Sequence, residues 1–541
     1  MSQPWLTHYP RGVSPTINPT PDTTLNTLFQ DSVAEFALKP ALQQHGHILS
    51  YADTAVLVDR LARYYQHGLN LPKGSRLALM MPNILAYPIA IFAALQAGLV
   101  IVNINPLYTP RELSQQLSDS GATAIVLFEA ASTTLAQALA QTQIQHIIVA
   151  NGQDLALSTT SALPNSIGFN HALQQGTLLP PTTVTVDPDD LAFLQYTGGT
   201  TGVAKGAMLS HANIVANIAQ ISSWVAGDLR RGEEVIVTAL PLYHVIGLTV
   251  NLLTFTHLGA LNVLISNPRD LTGLIQQLQP LRISIMTGVN TLFNGLLHHA
   301  NFAQLDFSHM RFGLGGGMAI QASVMSKWQA VTGAPLIEAY GLTETSPVAT
   351  INPLNGRHKV GSIGLPMPST DVSIRDAKGQ PVASGEAGEL WIKGPQVMQG
   401  YWQRPEETAK VMDDNGYFAS GDIARMDDEG YLTLVDRKKD MVLVSGFNVY
   451  PNEIEAVMAS HPDILETACI GVPDERTGEA LKLFVVTKGP DLSAEALIDY
   501  ARAYLTPYKV PKYIEFRTDL PKSTVGKILR RALRDDDKRR G

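Results

Sequence analysis

The chain has 541 residues, 45% of them hydrophobic and 16% charged, and a formal net charge of −8. That length exceeds one hydrophobic core and calls for at least two domains, the composition is that of a soluble globular protein, and the acidic balance argues against a nucleic-acid partner. A single cysteine, Cys469, excludes an intrachain disulfide and suits a reducing compartment; within the apolar run ETACIGVP it reads as a buried strand thiol, not a nucleophile.

The N-terminus, MSQPWLTHYPRG, lacks the charged-then-apolar pattern of an export signal, so a cytoplasmic location is expected. A helical pattern near 51–69 and the strand-like runs RLALMM at 76–81 and AIVLF at 124–128 alternate as parallel strands with crossover helices do. No charged residue falls between Arg76 and Arg111, a span long enough to cross a membrane. Pro82, Asn83, Pro88, Gln96 and Gly98 interrupt it, and a buried helix followed by the strand LVIVNI at 99–104 explains it better. The apolar region 235–266, broken by Pro241, His244, His257 and Gly259, is read the same way. Residues 129–185 are rich in Ala, Thr, Ser and Gln and carry no visible chemistry, while PTTVTVDPDD at 181–190 reads as a linker. The stretch 386–435 is β-rich, and after Asp436 short strands and helices lead to a charged tail.

The most informative segment is YTGGTTGVAKGAM at 196–208, where three glycines and three threonines occupy 197–202 and Lys205 closes the run. Glycines let successive N–H groups converge on one point, threonine hydroxyls add donors, and a lysine adds fixed charge, so the natural guest is a polyphosphate. It is not a Walker loop, because Ala204 and Gly206 flank Lys205. The apolar run LAFLQY at 191–196 feeds it, as a buried strand feeds an active-site loop; the bland alternative is a surface turn. In EAYGLTETSP at 338–347, Glu344 stands near Tyr340, Gly341 and Thr343, and such a carboxylate suits Mg²⁺ held together with phosphate oxygens. In GLGGGM at 313–318, Gly315, Gly316 and Gly317 leave room for a flat base against the backbone. In YFASGDI at 417–423, Asp422 is placed to accept both ribose hydroxyls, although a Gly-Asp pair is more often only a turn.

In chain order, the loop at Thr197, YGLTE at 340–344, SGD at 420–422, DRKKD at 436–440 and PKSTVGKILRR at 521–531 resemble the core motifs of the adenylate-forming superfamily of acyl-CoA synthetases, luciferases and peptide-synthetase adenylation domains. NPLYTPREL at 105–113, ALPLYH at 239–244, TGVNTLFN at 287–294 and VDRKKDMVLVSGFNVYPNEIE at 435–455 are similar to bacterial long-chain fatty acyl-CoA ligases. The resemblance runs from about residue 75 to the end, weakening across 129–185.

It implies an α/β fold: a large N-terminal adenylation domain, 1–436, of parallel-type sheets with crossover helices and a β-rich subdomain, and a small α+β C-terminal domain, 437–541, joined by a hinge. It further implies ATP, Mg²⁺ and CoA as reaction partners of a fatty acid, in two steps serving fatty-acid degradation. The carboxylate first attacks the α-phosphorus to give an acyl-adenylate, and the CoA thiol then displaces AMP. By the same resemblance, Tyr196, Thr197, Gly198, Gly199, Thr200, Thr201, Gly202 and Lys205 hold the phosphates, while Thr197 and Glu344 hold the metal. Gly315, Gly316, Gly317, Tyr340, Gly341 and Thr343 take the nucleotide, and Asp422 and Arg437 its ribose. Lys439 is the pivot and Lys527 the catalytic lysine. Gly446 admits the pantetheine arm, His244 gates the carboxylate, and Gly288, Val289 and Phe293 line an acyl channel. For DRKKD, His244 and Lys527 the plain readings are a solvated turn, a core histidine and a tail lysine.

Ser420 stands where the family has threonine, and VIGL follows His244 in a departure that leaves acyl preference open. The alternatives are a medium-chain or other acyl-CoA ligase, a fatty acyl-AMP ligase serving a carrier protein, a luciferase-like oxygenase, or a decayed binding protein. Peripheral contact with the inner face of the membrane and a homodimer are both compatible with the sequence, which decides neither.

Overall fold

The computed structural model describes residues 3–152, 163, 165–197, 204–354, 357–445, 447–474, 476–489, 492–523 and 526–540. The chain divides into two compact units, the larger formed by Trp5–Asp371 with Lys393–Phe418, the smaller mainly by Val372–Ile392 with Ala419–Gly541.

Two sheets form the larger unit. In the seven-stranded sheet the order is Ser166–Gly168, His146–Ala150, Ala124–Phe128, Arg76–Met80, Val100–Asn103, Leu191–Thr197 and Lys205–Ser210; only the last strand runs antiparallel to its neighbour. The nine-stranded sheet is parallel from Leu336–Gly341 through Phe312–Gly315, Ile285–Gly288, Val235–Thr238 and Leu261–Leu264 to Pro40–Gln44. Strands buried on both faces read as continuous apolar runs, as VIVT and AIVLF do here. The helix Ala86–Gln96 is buried on every side from Ala86 to Leu95, which accounts for the long uncharged span. Among the described residues, no helix is long and apolar enough to cross a membrane.

One reading needs adjustment. The region 235–266 opens with a strand, Val235–Thr238, before the π-helix Ile246–Thr254 and the strand Leu261–Leu264. Three apolar residues and a threonine ending near a proline are too short to register as a period. The stretch 129–185 carries two strands that widen the seven-stranded sheet, and its helix Phe169–Thr177 packs on the helix Tyr51–Arg63 so tightly that a Cβ on Gly176 would lie 1.9 Å from the Arg60 carbonyl oxygen.

The smaller unit holds a four-stranded sheet, in the order Asp371–Arg375, Gly388–Lys393, Phe418–Met426 and Leu432–Arg437. A second sheet follows, of Phe447–Val449, Val442–Val444, Gly478–Thr487 and Ile464–Asp474, with Tyr513–Phe516 beside Gly478–Thr487. Cys469 is fully buried in the strand Ile464–Asp474, and burial pushes its thiol pKa well above the ordinary value, so it is an inert strand thiol.

Within the larger unit, Asn83, just past the strand Arg76–Met80, reaches across to the exit of Val235–Thr238. Its amide donates to the Thr238 and Leu240 carbonyls at 2.9 Å each, and its oxygen accepts from the Leu242 N–H at 2.9 Å. Replacing Asn83 by Ala takes the partner from the Leu240 carbonyl and the Leu242 N–H, while the Thr238 carbonyl keeps the Ile265 N–H at 3.1 Å, and an unsatisfied buried group costs about 1–3 kcal/mol. Asn83→Ala is therefore expected to lower the urea midpoint and to loosen hydrogen-exchange protection around 238–242, whereas a surface Asn→Ala change would do neither.

Candidate active site

The parallel strands of the nine-stranded sheet deliver most of the motifs at their carboxyl ends, where ligands of open α/β sheets bind. Val235–Thr238 leads to Pro241–Tyr243–His244, Ile285–Gly288 ends on Gly288, Phe312–Gly315 runs into Gly316 and Gly317, and Leu336–Gly341 carries Tyr340 and Gly341 into Thr343 and Glu344. Gly288 pairs with Gly315 in register, and the Gly316 N–H donates to the Gly288 carbonyl at 3.3 Å. Gly317 adopts a φ of 79° in an exposed turn, with nothing within 4 Å of where a Cβ would stand, so the backbone conformation and not crowding favours glycine there. At Gly341 the constraint is the reverse: a Cβ would lie 1.8 Å from the Pro347 oxygen, so only glycine permits the tight loop that carries Glu344.

His244 sits in the turn before the π-helix, half-buried, with its Nδ1 accepting from the Ile246 N–H at 3.4 Å. Ile246 reaches toward Gly316, so the two loops are neighbours. Within VIGL, Gly247 is fixed by close approach, because a Cβ there would fall 2.3 Å from the Pro241 oxygen. Phe293 is fully buried in the apolar core, edge-on to Trp328 at 5.0 Å, and its ring covers Gly288.

The seven-stranded sheet brings in Tyr196, Thr197 and Lys205. Thr197 and Lys205 are register partners at the open end of an antiparallel pair. Gly198, Gly199, Thr200, Thr201 and Gly202, which join them, lie outside the described residues, as does Gly446. Gln195 links this strand to the histidine turn: its amide donates to the Tyr243 carbonyl at 2.6 Å and its oxygen accepts from Asn103 at 3.0 Å.

Side chains that the sequence reading missed tie these motifs together. The segment around 398–402 pairs along Lys205–Ser210, with Trp402 N–H to the Gly206 carbonyl at 2.8 Å and Met208 N–H to the Gly400 carbonyl at 2.9 Å. Tyr401 then donates its hydroxyl to Glu344 Oε1 at 2.7 Å and lays its ring 5.1 Å from the Lys205 ammonium. Burial, then the neighbouring Glu344 charge, pushes the Tyr401 phenol up, so it remains a donor. Lys205 also pairs with Glu407, whose second oxygen pairs with Lys410. Hydrogen bonds from Lys205 and then Lys410 hold the Glu407 carboxyl at about 2. Tyr196 donates to Asp119 Oδ2 at 2.6 Å, and Arg404 pairs with the other Asp119 oxygen at 2.5 Å. Only the segment GYWQRPEETAK at 400–410, dense in aromatic and charged residues, could have flagged this network in advance.

Glu344 is buried, yet among the described residues no three His, Cys, Asp or Glu side chains gather to hold a metal. One carboxylate fits an ion such as Mg²⁺ that takes its remaining ligands from phosphate and water.

The smaller unit brings together Asp422, Arg437, Lys439 and Lys527. Asp422 and Arg437 are register partners, with Arg437 Nε 3.6 Å from Asp422 Oδ1. The Ser420 hydroxyl donates to the Leu390 carbonyl at 2.7 Å and accepts from the Asp422 N–H at 3.1 Å, so serine fulfils the hydroxyl's role at this turn. Lys527 ends a tight turn, its N–H on Ser523 Oγ at 3.1 Å and its carbonyl accepting from the Ser523 N–H at 2.7 Å. Burial first, and then Arg437, lower Lys527 to about 8, with Asp422 opposing. Lys439 is likewise lowered to about 8, by burial and by Arg437. Arg437, Lys439 and Lys527 thus gather around Asp422, with Asp440 also facing Lys439, and an anionic ligand would relieve the burial and mutual repulsion that lower both lysines.

Three residues beyond Lys527, Arg530 is a hub. It pairs with Asp436 at 3.0 Å, Asp440 at 3.4 Å and Glu455 at 2.7 Å, and donates to Asn452 Oδ1. Burial raises Asp436 and Glu455 despite the guanidinium, whereas Asp440, which burial alone would raise, is held low by Arg534 at 2.6 Å.

These features define an α/β enzyme whose candidate site gathers at the carboxyl ends of parallel strands. The chain belongs to the AMP-binding enzyme family: residues 29–402 match the AMP-binding enzyme model and 453–527 the AMP-binding enzyme C-terminal domain. It is 50% identical to a long-chain-fatty-acid–CoA ligase of Yersinia pestis, over 99% of this chain and 98% of that protein. It is 49% identical to one of Salmonella typhi, with the same coverage. Among solved structures, ATP-bound MatB from Rhodopseudomonas palustris superposes with a TM-score of 0.85 at 28% identity, covering 95% of this chain and 99% of MatB.

Removing Arg530 would leave the buried Asp436 and Glu455 without their cation, while Asp440 keeps Arg534. Breaking a buried pair costs about 3–5 kcal/mol, so Arg530→Met is expected to lose that much local stability, read as lost hydrogen-exchange protection in the helices Pro451–Ala459 and Arg530–Arg540. Arg530→Lys should recover only part of it, because an ammonium lacks the planar fork.

Proposed function

We propose that the protein is an AMP-forming long-chain fatty acid–CoA ligase, which activates a fatty acid with ATP and transfers the acyl group to CoA. Its support is full-length kinship with ligases of that name, together with Lys205, Glu344, Asp422, Arg437 and Lys527 each standing at a motif position. A decayed site would be expected to lack at least one of them.

In the first step the fatty carboxylate attacks the α-phosphorus of ATP in line and pyrophosphate leaves. The protein's part is positioning and charge stabilisation, since phosphoryl chemistry offers little else. The loop from Thr197 and the Lys205 ammonium hold the terminal phosphates, Asp422 and Arg437 the ribose, and Gly315, Gly316, Gly317 and Tyr340 the base. Glu344, with Thr197, would hold Mg²⁺, whose charge draws electron density from the bridging oxygens. Lys527 donates from its ammonium to the oxygen where negative charge grows. In the second step the CoA thiol attacks the acyl carbonyl and AMP departs, with His244 beside the carboxylate and Gly446 beside the pantetheine arm. The C-terminal domain, 437–541, turns about Lys439 between the steps, withdrawing Lys527.

The direct test is formation of AMP and acyl-CoA from ATP, Mg²⁺, CoA and fatty acids of graded length. Acyl-CoA with an optimum among long chains is expected; pyrophosphate release without acyl-CoA would point instead to an acyl-AMP ligase with a carrier-protein acceptor. Lys527→Ala should lower adenylation by about 10²–10³, the cost of one preorganised charge contact.

The lowered Lys527 sets a pH dependence. The ammonium is the working form, present below about 8 and lost as pH rises through that value. The kcat/KM for ATP, which reports the free enzyme, should fall on the alkaline side of about 8, well before an ordinary lysine would titrate. A profile flat to pH 10 would remove Lys527 from the proton-dependent step.

A further inference from the structure

Lys205 is the one cation of the phosphate loop, and it already holds an anion. Its ammonium pairs with Glu407, and the two side chains are 25% and 31% exposed. A carboxylate and a phosphate present the same kind of oxygen to an ammonium, so a polyphosphate arriving at Lys205 meets Glu407 there first. The surroundings favour exchange of the anion over movement of the lysine. The Tyr401 ring lies 5.1 Å from the ammonium, and its hydroxyl is anchored on Glu344, so Lys205 keeps a fixed neighbour whichever anion it holds. Glu407 lies on the short helix Pro405–Ala409, whose backbone is tied by Thr408 Oγ1 accepting from the Tyr401 N–H at 2.9 Å and by Arg404 on Asp119. A change of Glu407 rotamer is then enough to release Lys205. The leaving carboxylate is not stranded, because Lys410 already pairs with its second oxygen.

We propose that Glu407 is a stand-in anion for the nucleotide polyphosphate on Lys205, and that its displacement sets the enzyme's affinity for ATP. This rests on the reading of the 197–205 loop as the phosphate site. An exposed ion pair is weak, so the displaced contact lowers ATP affinity by a modest factor, about two- to five-fold, and less as salt rises. Glu407 thereby keeps Lys205 extended and paired when no nucleotide is bound, at a small cost in affinity.

The test is equilibrium binding of ATP by calorimetry, with steady-state KM for ATP, on Glu407→Gln, Glu407→Ala, Lys205→Ala and the Lys205→Ala/Glu407→Gln double variant, each checked for an unchanged melting temperature. Both Glu407 variants are expected to bind ATP about two- to five-fold more tightly at low salt, with the gain shrinking at high salt and absent when Lys205 is also Ala. ATP binding that is unchanged or weaker in Glu407→Gln, while Lys205→Ala weakens it, would overturn the proposal and make Glu407 a residue that aims Lys205. If Lys205→Ala leaves ATP affinity untouched, the phosphate-site reading fails, and this proposal with it.

Discussion

A chain leaving the carboxyl end of a parallel strand carries N–H and C=O groups that no neighbouring strand can pair, and in a buried setting they must be satisfied. In the larger unit, amide side chains take that load. Asn83 serves the exit of Val235–Thr238, Gln195 the histidine turn, and Asn290 accepts from the Gln321 N–H at 2.9 Å. Asn352 donates to the Ser362 carbonyl at 2.6 Å, and Asn217 brackets Val348, donating to its carbonyl at 2.8 Å and accepting from its N–H at 3.1 Å. An amide can donate and accept at once, which a hydroxyl does less rigidly and a charge only at a desolvation cost. The loops carrying His244, Gly317 and Glu344 can therefore be irregular and still be fixed.

Charge is organised in two ways. Arg530, Asp436, Asp440 and Glu455 compensate one another within a few ångströms, and the arginine's affinity for its proton is raised by them. Lys527 and Lys439 belong to the same unit, yet both are lowered to about 8, because burial and like charge outweigh Asp422 at Lys527 and Asp440 with Asp422 at Lys439. The first group spends its electrostatics on holding the fold; the second keeps them available, since a cation short of counter-charge is stabilised by any anion that reaches it.

Much of this was legible in the sequence, for identifiable reasons. Gly-Thr-Lys at 197–205 and Gly-Asp at 421–422 declare their chemistry because few residue types can form a nest or a hydroxyl-accepting turn. The helix from Tyr51 was legible in the helical pattern near 51–69, and the structure adds the capping box of Ser50 and Asp53 at its start. The strand Val235–Thr238 was too short to show a period. Tyr401 and Glu407 were invisible for a different reason. Their partners lie 57 and 202 residues away in sequence, and a tyrosine in a polar segment has no local mark that separates an anchor for Glu344 from a surface ring. Arg530 lay inside the motif PKSTVGKILRR but was given no role, because the carboxylates that bury it are distant in sequence.

That pattern of misses has a physical origin. Residues that touch a ligand are limited by the ligand's chemistry, so their types and spacing narrow the guess. Residues that hold those residues need only complement them: Glu344 accepts a proton donor from Tyr401, and a serine or an asparagine could in principle supply one. What selects tyrosine is the second task, a ring face presented to Lys205 while the hydroxyl reaches Glu344, and two tasks meet on one side chain only once the strand Lys205–Ser210 and the segment at 398–402 are paired. The supporting layer of a site is thus a property of the fold, and its residues become legible where the fold places two charged groups of opposite sign within reach of one side chain.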